Sequence, residues 1–363
     1  MAHKKKKIAL IGYRLSGGGS DKVMANLSIF FERQDFEVDI IIVLDEVTFP
    51  YLGKLVNLGL LKNKSNGFFN KIKRFWALRK YLNENEFDFI IDFRFRTKMI
   101  QELILARFIY NTKTIFTVHS FLIDHYMPNN SWLTRLMYNH CLANVAIVNE
   151  MKTLIENKHQ LKNVVTIHNP IYLEEIQDKQ HENIEFVFDF IIAVGQYENE
   201  IKQFDKLISS YAKSDLAQKQ IHLIIVGNGD ESKLREVVLK KNITDFVHLI
   251  GYQNNPFKYI SKAVFLVLSS KNEGFPNVIL ESLACETPVI SFDCDFGPRD
   301  MISSFENGIL VENQNWEKLT ESMNLLVSDE VLYQHCKENT LESIQPFLLE
   351  KIGQEWLHLL KAN

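Results

Sequence analysis

Cysteine is scarce in this chain of 363 residues. Cys141, Cys285, Cys294 and Cys336 are scattered, with no spacing that would suit a metal. A disulfide scaffold is therefore excluded, and reduced thiols in the cytosol are expected. Long hydrophobic runs are missing as well; no apolar stretch approaches the ~20 residues that a spanning helix needs. The start, MAHKKKKIALIGY, is basic and then briefly apolar, and it breaks at Arg14 into a glycine loop, so it reads as a first strand rather than a signal peptide. Low complexity is absent. The dinucleotide pattern G-x-G-x-x-G is absent too, although Asp45, near the end of the second apolar run, keeps a nicotinamide enzyme open as an alternative. No recognition motif for nucleic acid accompanies the basic residues, so none is expected as a partner.

What is present is a hydrophobic fraction of 46% over a length that suits about two domains. Apolar strands are expected at Lys7–Tyr13, Val38–Leu44, Asp88–Phe93, Lys113–His119 and Asn144–Asn149, with helices at Asp21–Phe31 and around Lys71–Asn83. A second series runs through Phe190–Gly195, Ile221–Gly227, Val247–Gly251, Val264–Leu268 and Pro288–Phe292. Strands alternating with helices imply parallel sheets covered on both faces, here in two Rossmann-like α/β domains. The polar stretch from Asn169-Pro170 through Gln177–Asn183 has the composition of a linker. The expected division is 1–170, 171–345 and a C-terminal helix over 346–363.

The most informative run is Ser269 to Asp300, SSKNEGFPNVILESLACETPVISFDCDFGPRD. A strand leads into Glu273, then Gly274-Phe275-Pro276, then an amphipathic helix. The spacing lets Val278, Ile279, Leu283 and Ala284 line a buried stripe while Asn277 and Glu281 share the opposite face. Pro276 suits the first helical turn, and the free amides there can face a phosphate. This string, with Glu273 and Glu281 eight positions apart and Gly297-Pro298-Arg299-Asp300 following, resembles the donor site of retaining GT-B glycosyltransferases, glycosyltransferase family 4 in particular.

The resemblance implies a GT-B fold, two Rossmann-like domains facing across a cleft, with the C-terminal helix packing back towards the N-terminal domain. It implies that Gly274, Phe275, Pro276, Asn277 and Val278 contact the donor, that Glu273 holds sugar hydroxyls, and that Glu281 holds the ribose diol. The run Gly17-Gly18-Gly19-Ser20-Asp21-Lys22 follows the first strand, where missing β-carbons let amides approach an anion. The family places a glycine-rich loop there, so Gly18 and Gly19 are expected on the diphosphate. His119, at the end of a strand, matches the family histidine beside donor sugar and diphosphate. Lys202 matches the family's diphosphate lysine. Gln196 stands where the family has arginine and lacks its charge and fork; Arg299 is a candidate to compensate. Tyr252 and Gln253 lie in the loop resembling the family's base-contacting segment. Arg94, Arg96 and His125 are expected on the acceptor. Asp293-Cys294-Asp295 has the form of a metal-binding D-x-D, but its setting argues against a metal, and the reaction is expected to be metal-independent.

Charge is uneven. Residues 1–82 carry fifteen Lys/Arg against seven Asp/Glu, +8, and the remainder is −12. Within residues 62–80, Lys62, Lys64, Lys71, Lys73, Arg74, Arg79 and Lys80 interleave with Phe68, Phe69, Phe75 and Trp76. Such a helix suits an anionic membrane surface; the alternative is a helix packed on its own sheet through Phe69, Ile72, Trp76 and Leu78. The expected function is a retaining transfer of a sugar from a nucleotide-sugar, UDP-linked, to a hydroxyl of a glycan or lipid-linked acceptor in bacterial surface polysaccharide or oligosaccharide synthesis, by a cytoplasmic enzyme peripheral to the inner face of the membrane. A GT-B-like UDP-sugar epimerase, or a non-catalytic sugar- or lipid-binding homologue, remains the alternative.

Overall fold

The computed structural model describes residues 5–62, 67–110, 113–198 and 200–361. Lys64 and the side chain of Phe68 lie outside the described residues. The chain divides into two compact units, residues 1–170 with 349–363, and residues 171–348.

In the first unit, β1 (Lys7–Gly12), β2 (Glu37–Ile42), β3 (Lys54–Asn57), β4 (Phe89–Asp92), β5 (Lys113–Val118), β6 (Ala143–Ala146) and β7 (Val164–Thr166) form a parallel sheet in the order β3-β2-β1-β4-β5-β6-β7. Ile8 to Ile11 are wholly buried, as expected of a central strand covered on both faces. The helices are α1 (Gly19–Arg33), α2 (Phe68–Glu84), α3 (Met99–Ile104), α4 (Ser131–Tyr138) and α5 (Asn149–His159). Crossovers between parallel strands are right-handed. Helix α1 carries the chain from β1 one way to β2, and α2 to α5 carry it the other way, so α1 covers one face and the rest cover the other. The terminal helix, Leu349–Lys361, packs beside α1, and a side chain at Gly353 would collide with the Phe30 ring at 2.3 Å.

In the second unit, β8 (Phe190–Val194), β9 (His222–Val226), β10 (Val247–Leu249), β11 (Leu266–Leu268), β12 (Val289–Asp293) and β13 (Gly308–Glu312) form a parallel sheet ordered β10-β9-β8-β11-β12-β13. Its helices include α6 (Leu173–Lys179), α7 (Phe204–Tyr211), α8 (Ser232–Lys240), α9 (Phe257–Ile260), α10 (Asn277–Ala284) and α11 (Pro298–Met301). The apolar faces of β8, β9, β11 and β12 close on Phe204, Leu207, Ile208, Leu234 and Leu319.

The stretch expected as a linker holds α6, whose Glu175 and Ile176 are buried. Three strands were not expected: β3, β7 and β13. They are short and lie at or near a sheet edge, where few apolar residues are needed to cover them.

Each sheet has one point at which the strand order reverses, between β1 and β4 in the first unit and between β8 and β11 in the second. In open α/β sheets that point leaves a crevice beyond the carboxyl ends of the strands, where ligands bind.

Candidate functional site

At the switch point of the second unit, the loops after β8 and β11 bring Lys202 and Glu273 together, Nζ to Oε1 at 2.7 Å with both side chains partly exposed. Two backbone ties hold this geometry. The Ser269 hydroxyl donates to the Lys202 carbonyl at 2.7 Å, and the Lys271 amide donates to the Ile201 carbonyl at 2.8 Å. Gly195 makes room for the lysine, because a β-carbon there would lie 3.0 Å from its stem. Gln203 then enters α7 in the left-handed conformation, φ 52°, a strained choice for a non-glycine residue.

Gln196, directly after Gly195, is exposed. Its neighbour Tyr197 is buried and laces three strand ends: its hydroxyl donates to the Ile225 carbonyl at 3.0 Å and accepts from the Gly251 amide at 2.9 Å. Gly227 is obligatory in this packing, since a β-carbon would sit 1.7 Å from the Gly195 carbonyl oxygen. Tyr252 is exposed, while the Gln253 amide is tied to the Ile250 carbonyl at 2.8 Å. Backbone groups, rather than the Gln253 side chain, are what this loop can offer a base.

Pro276 is the N-cap of α10, one position before the expected first turn, and no side chain caps that end. The helix buries Ile279, Leu280, Leu283 and Ala284, and leaves Asn277, Val278 and Glu281 half-buried on the other side. Val278 was expected in the buried stripe, and Leu280 takes that place. Gly297, with φ 91°, lets the following loop close on Phe275 and Pro276; a β-carbon there would stand 2.7 Å from the proline ring. Phe275 is buried against Phe347, with ring centroids 5.9 Å apart. Arg299, the candidate substitute for the missing arginine, is instead bound to Asp293 by two parallel bonds of 3.0 and 3.1 Å. Among the described residues no group of three His, Cys, Asp or Glu side chains could hold a metal ion.

At the switch point of the first unit, Gly17 adopts φ 77° and Gly18 is the uncapped N-cap of α1. Arg14, which the sequence reading passed over, lies against this loop. Its guanidinium meets Glu46 at 2.6 Å and Asp21 at 3.4 Å. Burial pushes Asp21 up to about 6, against the opposing pull of Arg14 and the Gly18 backbone. A basic residue between a strand end and a glycine run was the available signal for Arg14.

His119 stands just past the end of β5. It is half-buried as a residue, yet both ring nitrogens are shielded from solvent, and neither meets a partner in good geometry. Burial pushes its pKa down to about 3, opposed by the Asn169 amide and assisted by Arg96, so the imidazole is neutral. The Phe93 ring stacks on it at 5.6 Å.

Arg94 and Arg96 do not point to solvent as an acceptor role would require. They are 4% and 2% exposed. Arg94 binds Asp92 at 2.7 Å and Glu102 at 3.0 Å, with the Tyr110 hydroxyl joining at 3.1 Å. Arg96 donates to the carbonyls of Tyr126, Arg94 and Thr117 at 3.0 to 3.2 Å, inside a box of Phe116, Tyr126 and Tyr138 rings. Both arginines therefore fix the strand ends that carry Phe93 and His119. His125 remains exposed, edge-on to Phe95 at 6.0 Å.

On α2, Phe69 and Trp76 are exposed, Arg79 lies 5.2 Å over the Trp76 ring, and of the four residues expected to pack the helix on its sheet only Leu78 is buried. No helix among the described residues is long and apolar enough to cross a membrane.

Comparison with known proteins gives this geometry a family. The model of the glycosyl transferases group 1 family matches residues 174–343, and that of glycosyltransferase family 4 matches residues 17–175. An uncharacterized glycosyltransferase of Methanocaldococcus jannaschii is 30% identical, the alignment covering 81% of this chain and 84% of that one. The N-acetylgalactosamine-N,N'-diacetylbacillosaminyl-diphospho-undecaprenol 4-alpha-N-acetylgalactosaminyltransferase of Campylobacter jejuni is 27% identical over 98% of this chain and 99% of its own. In fold, a variant of Staphylococcus aureus TarM crystallised with fondaparinux, alpha-GlcNAc-glycerol and UDP matches with a TM-score of 0.76 at 16% identity, covering 98% of this chain and all of the other. With two Rossmann-like units and these matches across both of them, the chain belongs to the GT-B glycosyltransferases of family 4.

Proposed function

We propose that this chain is a hexosyltransferase or N-acetylhexosaminyltransferase that moves a sugar, with retention, from a UDP-sugar to a hydroxyl of a lipid-linked or polymeric glycan in bacterial surface glycan synthesis. The observation that carries the reading is the 2.7 Å Lys202–Glu273 pair at the switch point of the second unit. The names of the relatives support the acceptor class, one of them acting on a diphospho-undecaprenol glycan, and the UDP bound to the TarM variant supports the donor.

In the reaction, charge develops on the departing diphosphate, and a preorganised cation there stabilises the transition state most. Lys202 supplies that charge, and the uncapped start of α10 adds backbone amides. As the diphosphate takes Lys202, Glu273 is released to the sugar hydroxyls. Glu281, on the half-buried face of α10 with Asn277 and Val278, holds the ribose. Retention follows same-face attack, in which a donor phosphate oxygen takes the acceptor proton, so no protein nucleophile is required. A neutral His119 donates or accepts one hydrogen bond without adding charge. The basic and aromatic face of α2, with Lys71, Lys73, Arg79, Phe69 and Trp76, is a docking surface for an anionic leaflet; Arg74, expected there, is turned inward and donates to the Val43 carbonyl at 2.9 Å.

The test is nucleotide release from UDP-GlcNAc, UDP-GalNAc and UDP-glucose, with and without lipid-linked acceptor, in the wild type, Glu273→Gln and Glu281→Gln. Glu273→Gln should lower kcat and Glu281→Gln should raise KM, each by roughly tenfold or more. Wild-type rates in both variants would remove the site assignment. Interconversion of UDP-sugars without acceptor would instead identify an epimerase.

A further inference from the structure

Helix α3 and the π-helical turn that continues it, Leu105–Ile109, are built inside out. A helix on a soluble protein turns its apolar stripe inward and its charges outward. Here the one acidic residue between Thr97 and Tyr110, Glu102, is 3% exposed and bound to Arg94. Ile100, Ile104 and Phe108, four apart and so on one stripe, face outward, Ile100 and Phe108 at 75% and 72% exposure. Met99 beside them is half exposed, and Leu105 and Ile109 are buried. The exchange has a clear local cause: Arg94 and Asp92 draw Glu102 inward, and the apolar stripe on the far side has nowhere else to go.

The charges left at the surface of this segment are basic. Lys98 and Arg107 flank the stripe and are exposed. A side-chain hydrogen bond with Lys71 of α2, and after it the like charge of that lysine, hold the Lys98 pKa below the usual value. Helices α2 and α3 cover the same face of the sheet, and α2 exposes Phe69 and Trp76. A second copy of this chain would bring basic faces together and be repelled.

We infer that the segment Lys98–Ile109 is a second bilayer-docking element beside α2, inserting Ile100, Ile104 and Phe108 between the headgroups of an anionic leaflet while the flanking Lys98 and Arg107 face the lipid phosphates. The inference rests on the reading of this enzyme as one that works at a membrane, and it adds an apolar anchor to the basic one on α2. Rings and aliphatic side chains flanked by Lys or Arg are the composition of an interfacial helix.

The experiment is co-sedimentation of the full chain with vesicles of phosphatidylcholine alone, or of phosphatidylcholine mixed with phosphatidylglycerol. Four proteins are compared: wild type, Ile100→Ser with Phe108→Ser, Lys98→Gln, and the α2 variant K71Q/K73Q/R79Q. Wild type should bind the anionic vesicles. The double serine variant should lose about tenfold or more of that partition, with unchanged melting and unchanged turnover on a water-soluble acceptor. Lys98→Gln, which disturbs no packing, should lose about fivefold. Wild-type partition of both the serine and Lys98 variants would overturn the inference, and loss in the α2 variant alone would leave the basic surface standing without it. Loss in the serine variant with none in the α2 variant would sustain the α3 element and remove the α2 reading. Absence of vesicle binding, with a concentration-dependent dimer that the serine variant abolishes, would overturn the inference in favour of a self-association surface.

Discussion

The second unit keeps its key charges close to water. Lys202 and Glu273 sit at 18% and 14% exposure, paired across the mouth of a switch point. The first unit does the reverse at its own switch point: Asp92, Arg94, Arg96 and Glu102 are buried, and Ile100 and Phe108 stand outside. Buried ion pairs suffer desolvation that their mutual attraction only partly offsets. Part-exposed ones contribute little to stability but remain available to a ligand. The comparison therefore separates two settings of the same residue types, one holding a loop in place and the other, in the function proposed above, meeting the donor.

The largest test of that separation is Arg94→Met. It leaves Asp92 and Glu102 buried together without their cation, so a loss of about 3–5 kcal/mol in denaturant unfolding is expected. A loss under about 1 kcal/mol would place the cluster among the weak pairs and erase the contrast. Next comes Lys202→Met, expected to lower turnover by about 10²–10³-fold through the lost charge on the leaving group. Its melting temperature should stay near that of the wild type, because the lysine is not a buried partner. Unfolding comparable to that of Arg94→Met would make the second pair structural too.

A smaller effect should separate the glycine loop from both pairs. Asp21 has a folded pKa of about 6 against an ordinary 3.8, so the folded state holds its proton more tightly than the unfolded one. The stability this contributes is full below the unfolded pKa and is lost as pH rises through about 6. Asp21→Asn should thus be more stable than wild type at pH 7.5, by on the order of 2 kcal/mol, and indistinguishable near pH 4. Melting curves at the two pH values decide it; a gain that does not depend on pH would show that ionisation of Asp21 is not the cause. The smallest expected effect is none. EDTA should leave donor turnover unchanged, since Arg299 already occupies Asp293. Activity lost on chelation and restored by Mn²⁺ or Mg²⁺ would mean that the Asp293-Cys294-Asp295 loop exchanges its arginine for a cation.

Legibility in the sequence followed the range of the interactions. Glu273, Gly274, Phe275, Pro276, Asn277 and Glu281 lie in one loop and one helix, so their relation is set by neighbours in the chain and could be read from spacing. Lys202 was found from its match to a family motif, but its contact with Glu273 joins residues 71 positions apart. Arg94 and Arg96 were misjudged for the same reason. An arginine after a strand gives no sign that Glu102, Tyr110, Thr117 and Tyr126 will converge on it. The edge strands β3, β7 and β13 escaped because segments of three to five residues hold too few alternations to show a period.

By itself the sequence determined the alternation of strands and helices, the two-domain plan and the loop-to-helix geometry of the Glu273–Glu281 segment, because these depend on apolar period and on residues a few positions apart. Tertiary structure alone decided which charges are buried and which apolar side chains are left outside. Periodicity reports that Ile100, Ile104 and Phe108 share a side and that Glu102 lies away from it. Which side faces the protein depends on Arg94, brought there by β4, and the free energy of burying a paired carboxylate in place of three apolar groups is set by that neighbour.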